Sequence, residues 1–573
     1  MDSSIQATIQ TWQEKVTEPD LAAELAELTQ PGNEEKLNDA FYRSLAFGTA
    51  GLRGVLGVGT NRMNVYVVAQ ASKGVADYLN AHYENPTLAL ARDSRLKGED
   101  FQRVAAGVLA ANGIKVYVYP RIEPVPTLSY AVRYLGTSAG IVLTASHNPS
   151  VYNGYKVYND NGGQITDEAA DEISANIAAV DPFDVQIMDF EEGLEKGLIV
   201  WTPEEVLDGF IDAVKKVSVP GFKAGEDYSV VYTPLNGTGL ECVTRILKEI
   251  GVENVTVVPE QAEPDGNFPT CKYPNPEFRA TFELGLKLAD QVKPNLLVAT
   301  DPDADRMGTA IPHDGDYTLI TGNEMGVMLM EWLAQMAKDN GEDVSSKVAV
   351  TTIVSSSMPD AVARDLGFEV RRVLTGFKYI GDQIDQLKDA GEEDRYLMGF
   401  EESYGYLAGT HARDKDAIVA TMLCVEMASY YASKGMDLVE AMEALYEKYG
   451  YYLNATVNAS FPGASGADRM ATIMADLREN PPAELAGYAV VGMTDYATGP
   501  EMPRVSGLQK EAPQTLPPAN VIEFRLADDN KIIFRPSGTE PKVKAYLFSK
   551  GATRAESEAV LAKLQAAAEA VLS

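Results

Sequence analysis

Apolar, β-rich runs and helical periods alternate along most of the chain. "TLALARDS" reads as a strand, "EDFQRVAAGVLAANG" as a helix, "IKVYVYP" as a strand, "PTLSYAVRYLG" as a helix and "AGIVLTAS" as a strand again. The pattern returns at "YSVVYTPLNG", "GLECVTRILKEIG", "NVTVVP" and "PNLLVATDPDADR", and once more at "KVAVTTIVSS", "MPDAVARDLG", "FEVRRVLTG" and "YLMGFEESYGY". Such alternation predicts parallel, doubly wound sheets. The last part differs. "YYLNATVNASF", "NVIEFRLADD" and "NKIIFRPSG" predict antiparallel strands, and "ESEAVLAKLQAAAEAVL" a closing helix. Residues 1–40 read as amphipathic helix. The predicted fold class is α/β: three similar doubly wound mixed α/β domains, then an α+β C-terminal domain, over 1–205, 206–325, 326–450 and 451–573.

Composition narrows the partners. The 573 residues exceed what one core organises. The net charge of −34 repels nucleic acid and anionic membranes, and no basic run offsets it. No apolar run approaches the ~18 residues of a membrane span, and the first residues lack a signal-peptide pattern. Cys242, Cys271 and Cys424 are widely spaced, which fits a reducing cytosol and gives no zinc motif. The expectation is a cytoplasmic protein with no nucleic-acid or membrane partner; its oligomeric state is open.

Chemistry collects at strand ends, where doubly wound sheets bind ligands. "TASHNP" places Ser146 and His147 there, with Lys156 in the following "NGYK". No G-x-S-x-G elbow is present, so a hydrolase triad is disfavoured. "TDPDADR" alternates Asp301, Asp303 and Asp305, then Arg306. Three carboxylates at that spacing repel one another unless a cation such as Mg²⁺ sits among them. A solvated acidic loop is the other reading. An EF-hand is excluded, because Arg306 and Pro312 stand where glycine and glutamate belong. "GFEESYG" offers Glu401 and Ser403 to sugar hydroxyls, and "TGFKY" offers Thr375 and Gly376. "HARDKDA" carries His411 and Lys415, and "GTAGLRG" sets Arg53 among glycines. In "IIFRPSGTEPK", Arg535, Ser537, Gly538 and Thr539 combine a guanidinium, two hydroxyls and free amides, which suits a phosphate. Walker A and G-x-G-x-x-G motifs are absent.

"TASHNP", "DPDADR", "GFEESYG" and "RPSGTEPK", in that order, resemble the α-D-phosphohexomutase superfamily. "GTAGLRG", "TPLNGTG", "PDGNFPTCKYPNPE" and "TGFKYIG" make the chain similar to its phosphoglucomutase/phosphopentomutase branch. The resemblance runs from about Phe47 to Lys550. It implies four domains around a central cleft and a phosphoryl-transfer isomerase using Mg²⁺ and glucose 1,6-bisphosphate. Ser146 matches the phosphorylated serine, and Asp301, Asp303 and Asp305 the metal ligands beside it. Arg53 and Arg306 would steady the transferring group, and Lys156, with His147 and Lys415 nearby, fits the acid/base position. Thr375, Gly376, Glu401 and Ser403 match the sugar contacts. Arg535, Ser537, Gly538 and Thr539 match the loop holding the non-reacting phosphate. The implied reaction interconverts glucose 1-phosphate and glucose 6-phosphate. Phosphopentomutase, phosphomannomutase, glucose 1,6-bisphosphate synthase and a non-catalytic sugar-phosphate binder are the alternatives. The chain departs from some relatives in "SYGY", which lacks their histidine, and in Asn236 of "TPLNGTG", where they carry histidine.

Overall fold

The computed structural model describes residues 2–48, 50–225, 227–461, 466–501, 516–537 and 542–573. Four sheets follow one another along the chain. The first has six strands, in the order Gly51–Val55, Tyr152–Tyr158, Ala139–Leu143, Thr87–Arg92, Lys115–Val118, Ile199–Trp201. The second has five, in the order Asp316–Ile320, Met307–His313, Leu296–Thr300, Ser229–Thr233, Asn254–Val257. The third has four, in the order Glu369–Val373, Val348–Thr352, Tyr396–Glu401, Gly405–Ala408. The fourth has six strands, all paired antiparallel.

The central strands of the first three sheets run parallel, as the alternating pattern predicts. Each sheet also carries antiparallel strands at one edge, which the pattern does not reveal. Ala139–Leu143 returns as Tyr152–Tyr158, Leu296–Thr300 as Met307–His313, and Tyr396–Glu401 as Gly405–Ala408. The connections are too short for a crossover helix, so the chain can only turn back beside itself. These three turns are "TASHNP", "DPDADR" and "EESYG". The three polar strand ends are therefore the same structural feature, repeated.

Residues 1–40 are not one helix. They form Ser3–Lys15, Pro19–Leu28 and Glu34–Phe41. Pro19 starts the second helix, where a missing N–H costs nothing, and Pro31–Gly32 separates the second from the third. Trp12, Leu25 and Phe41 close this extension over the first unit.

The second and third units share one continuous apolar core. The helix Ala417–Ser433 runs through it and is buried on nearly every side. Among the described residues no helix is long and apolar enough to cross a membrane.

Candidate active site

Each of the three turns holds one non-glycine residue in the left-handed region: Ser146 at φ 53°, Ala304 at φ 51° and Tyr404 at φ 66°. That conformation costs roughly 1–2 kcal/mol per residue. It bends the chain sharply enough to aim the flanking side chains at a common point.

The turns meet through their backbones. Met307 N donates to Tyr404 O at 3.1 Å, and Arg306 bridges Gly405. Ala417 N donates to Ala304 O at 3.1 Å, and Val125 N to Asp303 O at 2.9 Å. The first, second and third units thus converge on the aspartate turn.

Ser146 is buried, and its Oγ lies 3.0 Å from His147 Nδ1 and 3.2 Å from Asp301 Oδ2. Its amide donates to Thr144 Oγ1 at 2.8 Å. That hydroxyl in turn lies 2.6 Å from Asp93 Oδ2 and 3.1 Å from Asp303 Oδ2. Asp301, Asp303 and Asp305 are all buried, and one oxygen of each lies within 4.8 Å of the others. Asp301 Oδ1 accepts the amides of Asp305 and Arg306 at 3.1 and 2.9 Å, which shapes the turn.

Cations lie around the trio and the serine turn. Lys156 Nζ donates to Asp303 Oδ2 at 2.9 Å and lies 3.6 Å from Asp305 Oδ2. Lys415 Nζ is 3.2 Å from Asp305 Oδ2 and 2.9 Å from Asp414 Oδ1. Arg306 Nη1 donates to Glu277 Oε1 at 2.6 Å. Arg53 Nη1 donates to Asn148 Oδ1 at 3.2 Å.

The charges follow from burial and these neighbours. Burial, then Asp303 and Asp305, push the Asp301 carboxyl well up. Burial also acts upward on Asp305, but Lys415, Lys156 and Arg306 outweigh it and hold that carboxyl down. Burial would lower Lys156 and Lys415; Asp303 and Asp305 raise the first, and Asp305 and Asp414 the second. Burial and the positive charges of Arg306 and Arg53 depress His147, which stays neutral near pH 7.

The trio fits a metal. Asp303 Oδ1 and Asp305 Oδ1 are fully buried and accept no hydrogen bond. Buried carboxylate oxygens are seldom left unpartnered, and hard oxygen donors at this density suit Mg²⁺.

Glu401 ends its strand buried, and its Oε1 accepts Gly376 N at 2.8 Å. Thr375 Oγ1 is buried without a hydrogen bond. Ser403 is half-buried at the tip of the same turn. Arg535 lies on the fourth sheet, paired across strands with Lys544 and hydrogen-bonded to the Tyr546 hydroxyl. Lys544 and Tyr546 feel the charge of Glu402, so this face of the last unit looks toward the turn that carries Glu401 and Ser403. Burial and then Glu401 push Glu402 up to about 7. Ser537 is half-buried beside Arg535. Gly538 and Thr539 lie outside the described residues.

Several residues of the site went unread in the sequence. Arg95 and Asp93 pair at 3.3 Å with both side chains fully buried. Asp414 holds Lys415 and the Tyr158 hydroxyl, and Glu277 holds Arg306. "ARDSR" carries a usable signal: polar and charged residues closing an apolar strand, as in "TASHNP", "TDPDADR" and "GFEESYG".

Known proteins share this arrangement of units. The family models for α/β/α domains I, II and III of phosphoglucomutase/phosphomannomutase match residues 44–183, 208–315 and 321–449. A phosphoglucomutase of Staphylococcus saprophyticus is 38% identical over 515 residues, 90% of this chain and 92% of its own. The solved open form of Paramecium pp63/parafusin, a phosphoglucomutase, superposes with a TM-score of 0.67 at 18% identity, over 93% of this chain and 95% of that one. Aspergillus fumigatus N-acetylphosphoglucosamine mutase, solved with GlcNAc-6P and magnesium, gives a TM-score of 0.50 at 13% identity, over 100% of both chains. The chain belongs to the phosphoglucomutase/phosphomannomutase family of the α-D-phosphohexomutase superfamily.

Proposed function

We propose that the chain is an α-phosphoglucomutase that interconverts glucose 1-phosphate and glucose 6-phosphate through a phosphoserine at Ser146 and glucose 1,6-bisphosphate. One observation carries this reading: a buried serine, three buried carboxylates and several cations, drawn from separate units, converge on one point. The name borne by a relative 38% identical over 90% of the chain supports the substrate.

Asp301, Asp303 and Asp305 would hold Mg²⁺ beside Ser146 Oγ. When bound, the ion offsets phosphoryl charge and favours the loose transition state of transfer. The chain's own residues do the rest. Ser146 carries the phosphoryl group, held at the centre by its strained turn. Arg306 and Arg53 supply fixed positive charge for the oxygens of the group in transit. Glu401, Ser403 and the loop at Thr375 and Gly376 grip the sugar hydroxyls.

The acceptor hydroxyl of the sugar attacks phosphorus and the serine oxygen leaves, giving the bisphosphate and free serine. The hydroxyl proton passes to a neighbouring base, and His147, neutral near pH 7, is one suited to it. Lys156 and Lys415, kept protonated by their carboxylates, serve as acid and as electrostatic support. The bisphosphate then presents its other phosphate, which returns to Ser146. Arg535, Ser537, Gly538 and Thr539 bind whichever phosphate is not reacting, so they must accept two orientations of the ligand.

The test is kcat/KM on the 1-phosphates of glucose, mannose, ribose and deoxyribose, with Mg²⁺ and glucose 1,6-bisphosphate present and ATP absent. Glucose 1-phosphate is expected to lead. A pentose or mannose phosphate in first place replaces the substrate, and no turnover on any of them removes the mutase reading.

A further inference from the structure

The segment "PDGNFPTCKYPNPE", residues 264–277, has no role in the chemistry above, yet it touches both sides of the reacting centre. Near its start Gly266 bridges Arg95, and the Phe268 ring lies 5.1 Å from the Arg95 Cζ. A guanidinium over an aromatic face is attracted and held flat. A side chain at Gly266 is excluded, since its Cβ would lie 2.5 Å from Leu96 N and 2.6 Å from Ser94 O. Phe268 is buried and held at φ 46°. At its far end Glu277 Oε1 accepts Arg306 Nη1 at 2.6 Å. The segment is pinned between these points: Asn275 Oδ1 accepts Glu277 N at 3.1 Å, and Thr281 Oγ1 donates to Asn275 O at 2.7 Å.

Arg95 touches no reacting atom. It is 3% exposed and spends its guanidinium on the backbone of the serine turn. It donates to the carbonyls of Ser146 and Asn148, and to those of Pro149 and Tyr152 at 2.9 Å each. A rigid planar fork serving four carbonyls fixes where the turn sits, which a lysine cannot reproduce.

We propose that residues 264–277 are a brace across the reacting centre, setting the serine turn through Arg95 and the Arg306 guanidinium through Glu277. The proposal rests on the mutase reading for its kinetic consequence. Arg95, Phe268 and Glu277 are then positioning residues, and the brace keeps Ser146 Oγ and Arg306 in register although they come from different units.

The full-length enzyme tests this with Phe268→Leu, Arg95→Lys and the double variant. Small misplacement of a reacting group costs up to about 100-fold, so kcat should fall about 10-fold in Phe268→Leu and about 100-fold in Arg95→Lys. The KM for glucose 1-phosphate should hold within about twofold, because the sugar contacts are elsewhere. The double variant should be no slower than Arg95→Lys, since Phe268 acts only through Arg95. Amide hydrogen exchange reads the brace without turnover: Phe268→Leu should speed exchange across residues 145–152 and leave the strand Ile522–Leu526 unchanged. Unchanged exchange over 145–152, multiplying kcat losses, or a lowered melting temperature at full kcat would each overturn the brace. Faster exchange in a protein that turns over no sugar phosphate would uphold the brace and sink the mutase reading instead.

Discussion

The first three units are joined to one another differently from the way the last is joined to them. Backbone hydrogen bonds link the aspartate turn to both neighbouring units. Buried polar contacts reinforce them: Tyr158 to Asp414 at 2.9 Å and Lys415 to Asp305 at 3.2 Å. Among the described residues, the joint to the last unit includes a separate apolar seam. Ile353, Val354 and Leu374 meet Tyr496, Val521, Ile533, Tyr546 and Phe548 there, and Lys531 Nζ donates to Ile353 O at 3.3 Å. At the edge, Arg554 reaches Glu443 at 2.9 Å with both side chains partly in water, a kind of pair worth little. The difference matches the tasks proposed for the two regions. Metal ligands and a phosphorylated serine tolerate little displacement. A loop that must hold the ligand in two orientations gains from a joint that can move.

Four measurements bear on that contrast. Ser146→Ala should lower kcat by roughly 10⁴-fold or more while the melting temperature holds, since only the proposed phosphoryl carrier is lost. Appreciable turnover by that variant would contradict the assignment. Asp305→Asn strikes the interlocked region. It removes a proposed metal ligand and takes the shared carboxylate from Lys156 and Lys415. A fall in kcat of roughly 10³-fold and a stability loss of about 3 kcal/mol are expected, because two buried lysines each lose one of their two carboxylate partners. Magnesium titration and denaturant melts read the two effects separately.

Arg535→Met strikes the looser region. KM for glucose 1-phosphate should rise roughly 10- to 100-fold, the value of a lost charged hydrogen bond or two. The melting of the first three units should be unaffected. An equal loss in the metal titration would mean that the two regions are not separable.

The last effect is one of stability against pH and leaves the site untouched. Glu426 is buried in the shared core, where it accepts the Ser218 hydroxyl and Val219 N. Burial pushes its carboxyl up to about 7. The folded value therefore exceeds the unfolded one. The stability contribution is complete below the unfolded value and is lost as pH rises toward and through about 7. Glu426→Gln should flatten this slope and leave the variant more stable at pH 8 by up to about 3 kcal/mol. Melting temperatures of both proteins from pH 5 to 8 decide it; parallel curves would rule out the burial argument.

Much of this molecule was readable before any coordinates. Apolar runs marked the parallel strands, because a strand buried on both faces must be apolar throughout. Polar residues abruptly following such runs, as at Ser146, Asp301 and Glu401, marked the candidate site. The prolines that split residues 1–40 into three helices, Pro19 and Pro31, are equally visible in the sequence. The hairpin returns after each motif were not seen, since a short apolar run carries no mark of its strand direction.

What the linear chain determined is local: which segments form strands and helices, and which strand ends carry the carboxylates, hydroxyls and cations of the candidate site. The partners of each charge were decided only by folding. Lys415 meets Asp305, Glu277 meets Arg306, and Arg95 gathers four carbonyls of the serine turn. Side-chain pattern depends on neighbours a few residues away, whereas a buried charge is defined by whatever the packing of separate units brings within a few ångströms of it.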